Sequence, residues 1–129
     1  MRAIINAKII YEDSIIEDRV LLFESTIIGI VDTPPKGCEI VDAKGWYLSA
    51  GFIDIHIHGS SGADVMDSSK EALESISRGI LATGTTSFIA TTMTMSQDDI
   101  TRALDNIQKH KDTLYRPTNK RNRLVRNCH

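Results

Sequence analysis

A short stretch with two histidines constrains this chain more than any other feature. Residues 51–62 read G-F-I-D-I-H-I-H-G-S-S-G, and apolar and polar side chains alternate from Phe52 to His58. This two-residue period predicts a β-strand that points Asp54, His56 and His58 to one face. At roughly 3.3 Å per residue the two histidines lie about 7 Å apart along the strand. Two neutral imidazoles on one face can bind a divalent metal, although histidines of a half-buried strand can also be ordinary packing residues.

The length and composition predict a soluble protein of the cytoplasm. The 129 residues suit an ordinary domain, and the hydrophobic stretches are too short and too interrupted to cross a membrane. The start, M-R-A-I-I-N-A-K, leads to no small-residue cleavage site, so we expect no export. Cys38 and Cys128 lack metal or redox spacing, which favours a reducing compartment over a disulfide scaffold.

The net charge of −2 hides two regions of opposite charge. Nine basic and sixteen acidic residues precede His110, whereas six basic residues and only Asp112 follow from that position onward. Residues 110–129 are therefore predicted to form a basic, irregular tail. Such a tail could bind nucleic acid by releasing counterions, but Tyr115 is its only aromatic residue and it contains no recognised binding motif. The expected partners accordingly include neither nucleic acid nor a membrane.

Residues 1–50 are predicted to form a small β-sandwich-like unit, built as a meander of strands and turns. Short runs rich in Ile, Val and Leu alternate with turn residues, among them Pro34 and Pro35. The runs are Ala3–Ile10, Arg19–Phe23, Ile27–Val31, Glu39–Val41 and Trp46–Leu48. Because the unit has few residues suited to catalysis or metal binding, we interpret it as a structural platform.

Residues 51–109 follow a strand–helix–strand–helix pattern. Ser68 and Glu71 predict a capping box that begins a helix ending near Gly84, residues 85–92 are β-prone, and Ser96 can begin a second helix. The predicted apolar stripes are Leu73, Ile76 and Ile80 on the first helix and Ile100, Ala103, Leu104 and Ile107 on the second. The pattern predicts an α/β fold with a parallel sheet, of which a TIM-like barrel is one closed version. A barrel of eight units takes about 250 residues, so in that version the chain holds the first two β-α units of an incomplete TIM-like barrel.

Several polar residues flank the histidines, and their expected roles differ. Asp54 is expected to have a structural role or to support a ligand, since it lies deeper in the strand. Asp64 and Asp67 are expected to act as helix caps or turn residues. Thr91, Thr92 and Thr94 finish the second strand, where their hydroxyls could line a pocket, pack or face solvent.

Three stretches resemble the amidohydrolase superfamily and, within it, the N-acetylglucosamine-6-phosphate deacetylase family. G-F-I-D-I-H-I-H-G at 51–59 resembles the first barrel strand of the superfamily, although Ala50 stands where many members have proline. This motif alone would also fit dihydroorotases, ureases and several deaminases. G-A-D-V-M-D at 62–67 and G-T-T-S-F-I-A-T-T-M-T at 84–94 narrow the resemblance to the deacetylases. The likeness extends from residue 1 to about residue 109.

The resemblance implies metal-dependent hydrolysis of the acetamide of N-acetylglucosamine 6-phosphate, giving glucosamine 6-phosphate and acetate. It implies that His56 and His58 are metal ligands and that zinc is the expected ion, which would lower the pKa of a water molecule. It also implies a homo-oligomeric complete enzyme acting on a small phosphorylated amino sugar. The alternatives are another amidohydrolase, such as a dihydroorotase-like cyclic amidase, or a non-catalytic remnant whose basic tail binds nucleic acid.

The family pattern includes more metal ligands than this chain offers. A glutamate, two further histidines and a catalytic aspartate that acts as general acid and base belong to later strands and have no counterpart here. We therefore assign no catalytic residue. The expectation is an inactive N-terminal fragment that folds marginally and self-associates through uncovered apolar surfaces.

Overall fold

The computed structural model describes residues 1–114 and divides the chain into two compact units, Met1–Ala50 and the residues from Gly51 onward. Most of the predicted basic tail, residues 115–129, lies outside the described residues. No helix within residues 1–114 combines the length and the apolar character that a membrane crossing requires. The strands of the first unit are β1 (Arg2–Ile5), β2 (Lys8–Tyr11), β3 (Ser14–Ile16), β4 (Val20–Phe23), β5 (Ile27–Val31), β6 (Glu39–Asp42) and β7 (Tyr47–Leu48).

The first unit contains two sheets, one with the strand order β5-β4-β1-β6 and one with the order β3-β2-β7. The β1–β6 and β2–β7 pairs are parallel, so the prediction of a simple meander is wrong. The reason lies at Asn6, whose positive φ of 54° breaks the apolar run Ala3–Ile10 into two strands that belong to different sheets. A further strand, Ser14–Ile16, pairs with β2, although none of the predicted strands includes these residues.

The core of the first unit lies on both faces of the four-stranded sheet. One buried cluster joins residues of both sheets, and a second occupies the opposite face, as the two-residue alternation of β1 and β4 requires. The first comprises Ile4, Ala7, Ile9, Leu21 and Phe23, and the second Ala3, Val20 and Leu22. The interpretation of this unit as a structural platform stays a prediction.

The second unit runs strand–helix–strand–helix, as predicted. Its main elements are β8 (Phe52–Ile57), α1 (Lys70–Leu81), β11 (Thr85–Ala90) and α2 (Gln97–His110). The two long strands pair in parallel, which confirms the predicted relation between them. Between β8 and α1 the chain forms a small hairpin of β9 (Gly59–Ser60) and β10 (Ala63–Asp64), followed by a 3-10 turn at Val65–Asp67.

The first helix begins one residue later than predicted. Ser69 is its N-cap and accepts a hydrogen bond from the Ala72 amide at 3.1 Å. Ser68 instead ends the preceding 3-10 turn in a left-handed conformation, with φ 51°. The predicted Ser68–Glu71 capping box is therefore wrong, because the 3-10 turn already uses the first of the two serines.

A capping arrangement does exist, but it belongs to the 3-10 turn. The Asp64 carboxylate accepts a hydrogen bond from the Met66 amide at 2.8 Å, and the Asp67 carboxylate accepts one from the Asp64 amide at 2.8 Å. The cap and turn roles predicted for these two aspartates are confirmed. The hairpin turn beside them has positive φ at both Ser61 and Gly62, the conformation that joins two strands through a two-residue loop.

The core of the second unit packs both helices near the end of β8. Leu73, Ile76 and Ile80 of α1 are buried as predicted. Ser96 caps α2 as predicted, and Ala103 is fully buried. The predicted stripe on α2 is too wide, however, since Leu104 is 52% exposed. Among the described elements α2 packs mainly on α1 and the 3-10 turn, which covers only the narrower face around Ala103.

Candidate metal centre

His56 and His58 come together at the carboxyl end of β8. Their ring centroids are 4.9 Å apart, and their Nε2 atoms lie 3.1 Å from each other. The two rings therefore share one face of the strand, as the alternation predicted. Two nitrogens bound to one tetrahedral zinc ion at 2.0–2.1 Å would be roughly 3.3 Å apart. The observed separation suits two ligands that converge on a single ion.

A contact between neighbouring strands sets the proton position of His58. Its Nδ1 atom lies 3.0 Å from the carbonyl oxygen of Thr91, and a carbonyl oxygen only accepts hydrogen bonds. The neutral His58 ring must therefore carry its proton on Nδ1, which leaves the lone pair of Nε2 directed towards His56. Histidines that bind metals usually make this kind of hydrogen bond through the other ring nitrogen.

Backbone hydrogen bonds hold the chain on both sides of His58. The Thr91 amide donates to the Ile57 carbonyl at 2.9 Å, and the Val65 amide donates to the His58 carbonyl at 2.7 Å. The Val65 side chain is only 1% exposed, so the turn after the hairpin is anchored in the core. Parallel strand pairing and a buried turn together fix the position of this ring.

Among the threonines at the end of β11, Thr91 has a contact that the sequence did not suggest. Thr91 reaches His58 through its backbone carbonyl, while its hydroxyl donates to the Ile89 carbonyl at 3.2 Å. Thr92 is half-buried and Thr94 is exposed. The sequence did not predict this contact, because every residue has a backbone carbonyl and the pattern of side chains does not show which one is used. Only the pairing register of the two strands could have indicated it.

Asp54 contacts the other histidine through the backbone. Its Oδ1 atom accepts a hydrogen bond from the His56 amide at 3.0 Å. The Asp54 residue is half-buried, whereas His56 is exposed. The Asp54 carboxylate thus binds the main chain of His56.

The described part of the chain offers two converging ligands but not three. Within residues 1–114 no group of three or more His, Cys, Asp or Glu side chains is placed to hold a metal ion. Catalytic zinc sites usually take three protein ligands and leave a fourth position for water. A cavity of about 480 Å³ lies elsewhere, on α1 and the hairpin, and includes neither histidine. The two histidines alone are therefore fewer than the ligands that a catalytic zinc site requires.

Known proteins resemble this chain over its first part. No family model matches it. Several N-acetylglucosamine-6-phosphate deacetylases do, at 44–47% identity; the one from Lysinibacillus sphaericus is 47% identical over 68 residues, which are 53% of this chain and 18% of that protein. This chain matches the N-terminal part of the N-acetylglucosamine-6-phosphate deacetylases.

The deacetylase likeness extends to the fold. The crystal structure of N-acetylglucosamine-6-phosphate deacetylase from Pasteurella multocida superposes with a TM-score of 0.81 at 26% identity, and the match covers 90% of this chain and 31% of that structure. A dihydroorotase from Staphylococcus aureus is 33% identical over 60 residues, or 45% of this chain and 14% of that protein. The chain thus spans less than a third of each of these relatives.

Proposed function

We propose that this chain forms the N-terminal β unit and the first two β-α units of a metal-dependent deacetylase. The proposed reaction is hydrolysis of the acetamide of N-acetylglucosamine 6-phosphate to glucosamine 6-phosphate and acetate. One observation carries the proposal: two imidazole Nε2 atoms lie 3.1 Å apart in a chain that matches deacetylases of this name. The greater identity to deacetylases than to a dihydroorotase supports this substrate class over a cyclic amide.

The position of the histidines supports a TIM-like barrel. In such barrels the chemistry takes place at the carboxyl ends of the parallel strands. His56 and His58 lie at that end of β8, and Thr91 directly follows β11 at the same edge. Ile53 and Ile55 of β8 are 57% and 73% exposed, although an apolar strand face normally packs against other elements. We propose that further barrel elements cover them in the complete enzyme.

The two Nε2 atoms would hold a divalent cation, and zinc is our choice because imidazole nitrogens at tetrahedral spacing suit it. A bound cation of this kind supplies Lewis acidity towards an amide carbonyl and makes water a stronger acid. The chain's own contribution is orientation. The Thr91 carbonyl keeps the proton of His58 on Nδ1, and the exposed His56 ring leaves the pair open to an incoming ion.

Two ligands are fewer than catalysis requires, so the proposal includes groups outside the described residues. We propose that the remaining ligands and the proton-transferring aspartate come from later parts of a longer polypeptide. The 129-residue chain would then bind metal without measurable turnover. Cytoplasmic location, homo-oligomeric assembly of the complete enzyme and the absence of nucleic-acid binding remain predictions from the sequence; a gel-shift assay at two salt concentrations tests the last of them.

A zinc titration of the full chain tests the metal site. We expect one ion per chain by isothermal titration calorimetry, and at least a tenfold loss of affinity in His56→Ala and His58→Ala, because one of two ligands is removed. His110→Ala is the matched control, since His110 ends α2 and is not part of the pair. Unchanged zinc binding in both ligand variants would contradict the proposed site.

A chimeric enzyme tests the reaction itself. Residues 1–109 would replace the matching segment of the Pasteurella multocida deacetylase, whose match covers 90% of this chain and which supplies the rest of the polypeptide. We expect turnover of N-acetylglucosamine 6-phosphate but not of dihydroorotate, and loss of turnover in the His58→Ala chimera. A chimera that unfolds cooperatively and hydrolyses only dihydroorotate would show that the substrate class is wrong.

A further inference from the structure

We infer that Asp54 is a positioning residue that holds His56 in the orientation needed for metal binding, an inference that rests on the proposed metal site. The Asp54 Oδ1 atom accepts the His56 amide at 3.0 Å. Asp54 and His56 are two residues apart, so the carboxylate spans the segment that leads directly into the ligand.

The pairing of the strands explains why His56 needs this support. Aligned pairs between β8 and β11 pass from Asp54–Phe88 to Ile57–Ala90, so β8 advances three residues while β11 advances two. Ile55 and His56 lie in this irregular segment. Such a bulge interrupts the ladder of hydrogen bonds and redirects the side chains it contains. His56 is consequently the ligand that strand pairing fixes less firmly, whereas the second strand holds His58 directly.

A carboxylate that accepts the amide two residues later replaces the missing ladder contact with a local one. The same arrangement occurs elsewhere within residues 1–114, where Asp42 accepts the Lys44 amide at 2.9 Å and Asp64 accepts the Met66 amide at 2.8 Å. Those two aspartates shape turns. Asp54 uses the same contact inside a strand, beside a candidate ligand, which is why we assign it a role in the site.

The consequence is that Asp54 acts on one ligand and not on the other. His58 keeps its contacts with Thr91 and Val65 when the Asp54 carboxylate is removed. Without the carboxylate the bulged segment is free to turn, and the His56 ring loses its fixed direction. Zinc then retains one oriented ligand and loses the second.

Zinc titration of the full chain tests whether the Asp54 carboxylate affects zinc affinity. Loss of a group that orients a metal ligand typically weakens metal affinity by roughly 10–100-fold, and we expect a loss in this range for Asp54→Ala. Asp54→Asn keeps an oxygen that accepts the amide hydrogen bond and should bind within about threefold of the wild-type chain. Asp42→Ala is the matched control, because it removes the same kind of contact in the other unit. It should leave zinc affinity unchanged.

Imidazole NMR spectra supply a readout that a purely structural role would not move. In Asp54→Ala with zinc, the His56 resonances should lose their metal-induced shift while those of His58 keep it. In the wild-type chain the His56 amide should be protected from hydrogen exchange, a result that does not depend on how the variant folds. An unprotected His56 amide, or wild-type affinity in Asp54→Ala, would overturn the role of Asp54 alone. Absence of zinc binding by the wild-type chain would overturn the metal site as well.

Discussion

The Nδ1 atom of His58 lies 3.0 Å from the carbonyl oxygen of Thr91, so a side chain at the end of one strand donates to the backbone that follows the next. This contact predicts which form of the neutral ring is populated. In the metal-free chain, long-range proton–nitrogen NMR spectra should show His58 protonated on Nδ1. A neutral His58 protonated on Nε2 would contradict the assignment.

The same contact predicts unequal effects of removing the two rings. His58→Ala should lower the free energy of unfolding of the metal-free chain by about 1 kcal/mol, the usual net value of one hydrogen bond. His56→Ala should change it by less than about 0.5 kcal/mol, because this ring is exposed. Urea denaturation of both variants at neutral pH without metal measures the difference; equal losses would argue against a special role for the Thr91 carbonyl.

Gly79 permits the hairpin to pack against α1. A Cβ atom at this position would overlap the Ser61 hydroxyl and lie 2.9 Å from that of Ser60. Overpacking of this kind costs about 1–3 kcal/mol, which outweighs the gain of about 1 kcal/mol from replacing glycine by alanine in a helix. We expect Gly79→Ala to lower the melting temperature.

A second substitution tests whether a clash with Ser61 causes the instability of Gly79→Ala. Ser61→Gly removes the overlapping atoms and suits the positive φ of 54° at this position, so the double variant should recover most of the lost stability. Gly29→Ala is the control, because nothing lies within 4 Å of a Cβ added at Gly29. A double variant as unstable as Gly79→Ala would exclude this clash as the reason.

The lowered pKa of Asp42 predicts how the stability of the first unit changes at acidic pH. Hydrogen bonds from the Lys44 amide, above all, and from the Asn6 side chain lower the pKa of Asp42 from its ordinary value of 3.8. A lowered folded-state pKa means that the carboxylate stabilises the fold fully above pH 3.8 and that this contribution is lost as the pH falls through the lower folded value.

The expected result is a difference between two stability profiles. Asp42→Asn should be less stable than the wild-type chain at pH 7, and the gap should narrow as the pH falls below 3.8 and through the lower folded-state pKa of Asp42. Asp13→Asn, at an exposed turn position, is the control and should leave the profile unchanged. Thermal unfolding followed by circular dichroism across this range measures the effect, and parallel profiles for the wild-type chain and Asp42→Asn would refute it.

The exposed face of β8 predicts self-association of the 129-residue chain. Ile55 is 73% exposed, and within residues 1–114 its strand pairs with β11 alone. An open strand edge with apolar side chains tends to pair with another chain. Ile55→Lys should shift sedimentation profiles towards the monomer and change stability by no more than about 0.5 kcal/mol. Ile28→Lys, at a residue 54% exposed in the first unit, is the control; an equal effect there would mean that β8 is not the contact.

Much of the second unit could be predicted from the sequence because local patterns determine it. Alternation placed His56 and His58 on one face of a strand, and helical periodicity identified the buried residues of α1. The start of α1 could not be placed as well. Ser68 and Ser69 are both good caps, and only the preceding 3-10 turn, which takes up Ser68, decides between them.

The remaining differences come from contacts between distant parts of the chain. The parallel pairing of β1 with β6 joins segments more than thirty residues apart and has no local signature. The same holds for the Thr91 carbonyl, whose contact with His58 depends on the alignment of β8 with β11. The exposure of Leu104 likewise depends on what packs beside α2, which an amphipathic pattern does not specify.

The alignment of Ile57 with Ala90 fixes the register between β8 and β11, and a chain that folds with another register would place its histidines differently. Successive strand residues face opposite sides, so a slip of one position would turn both imidazoles of the proposed metal site to the other face and present isoleucines in their place. We therefore expect a misaligned chain not to bind zinc at the proposed site. If the proposed site binds zinc, the binding energy stabilises only those molecules in which the two strands are correctly aligned.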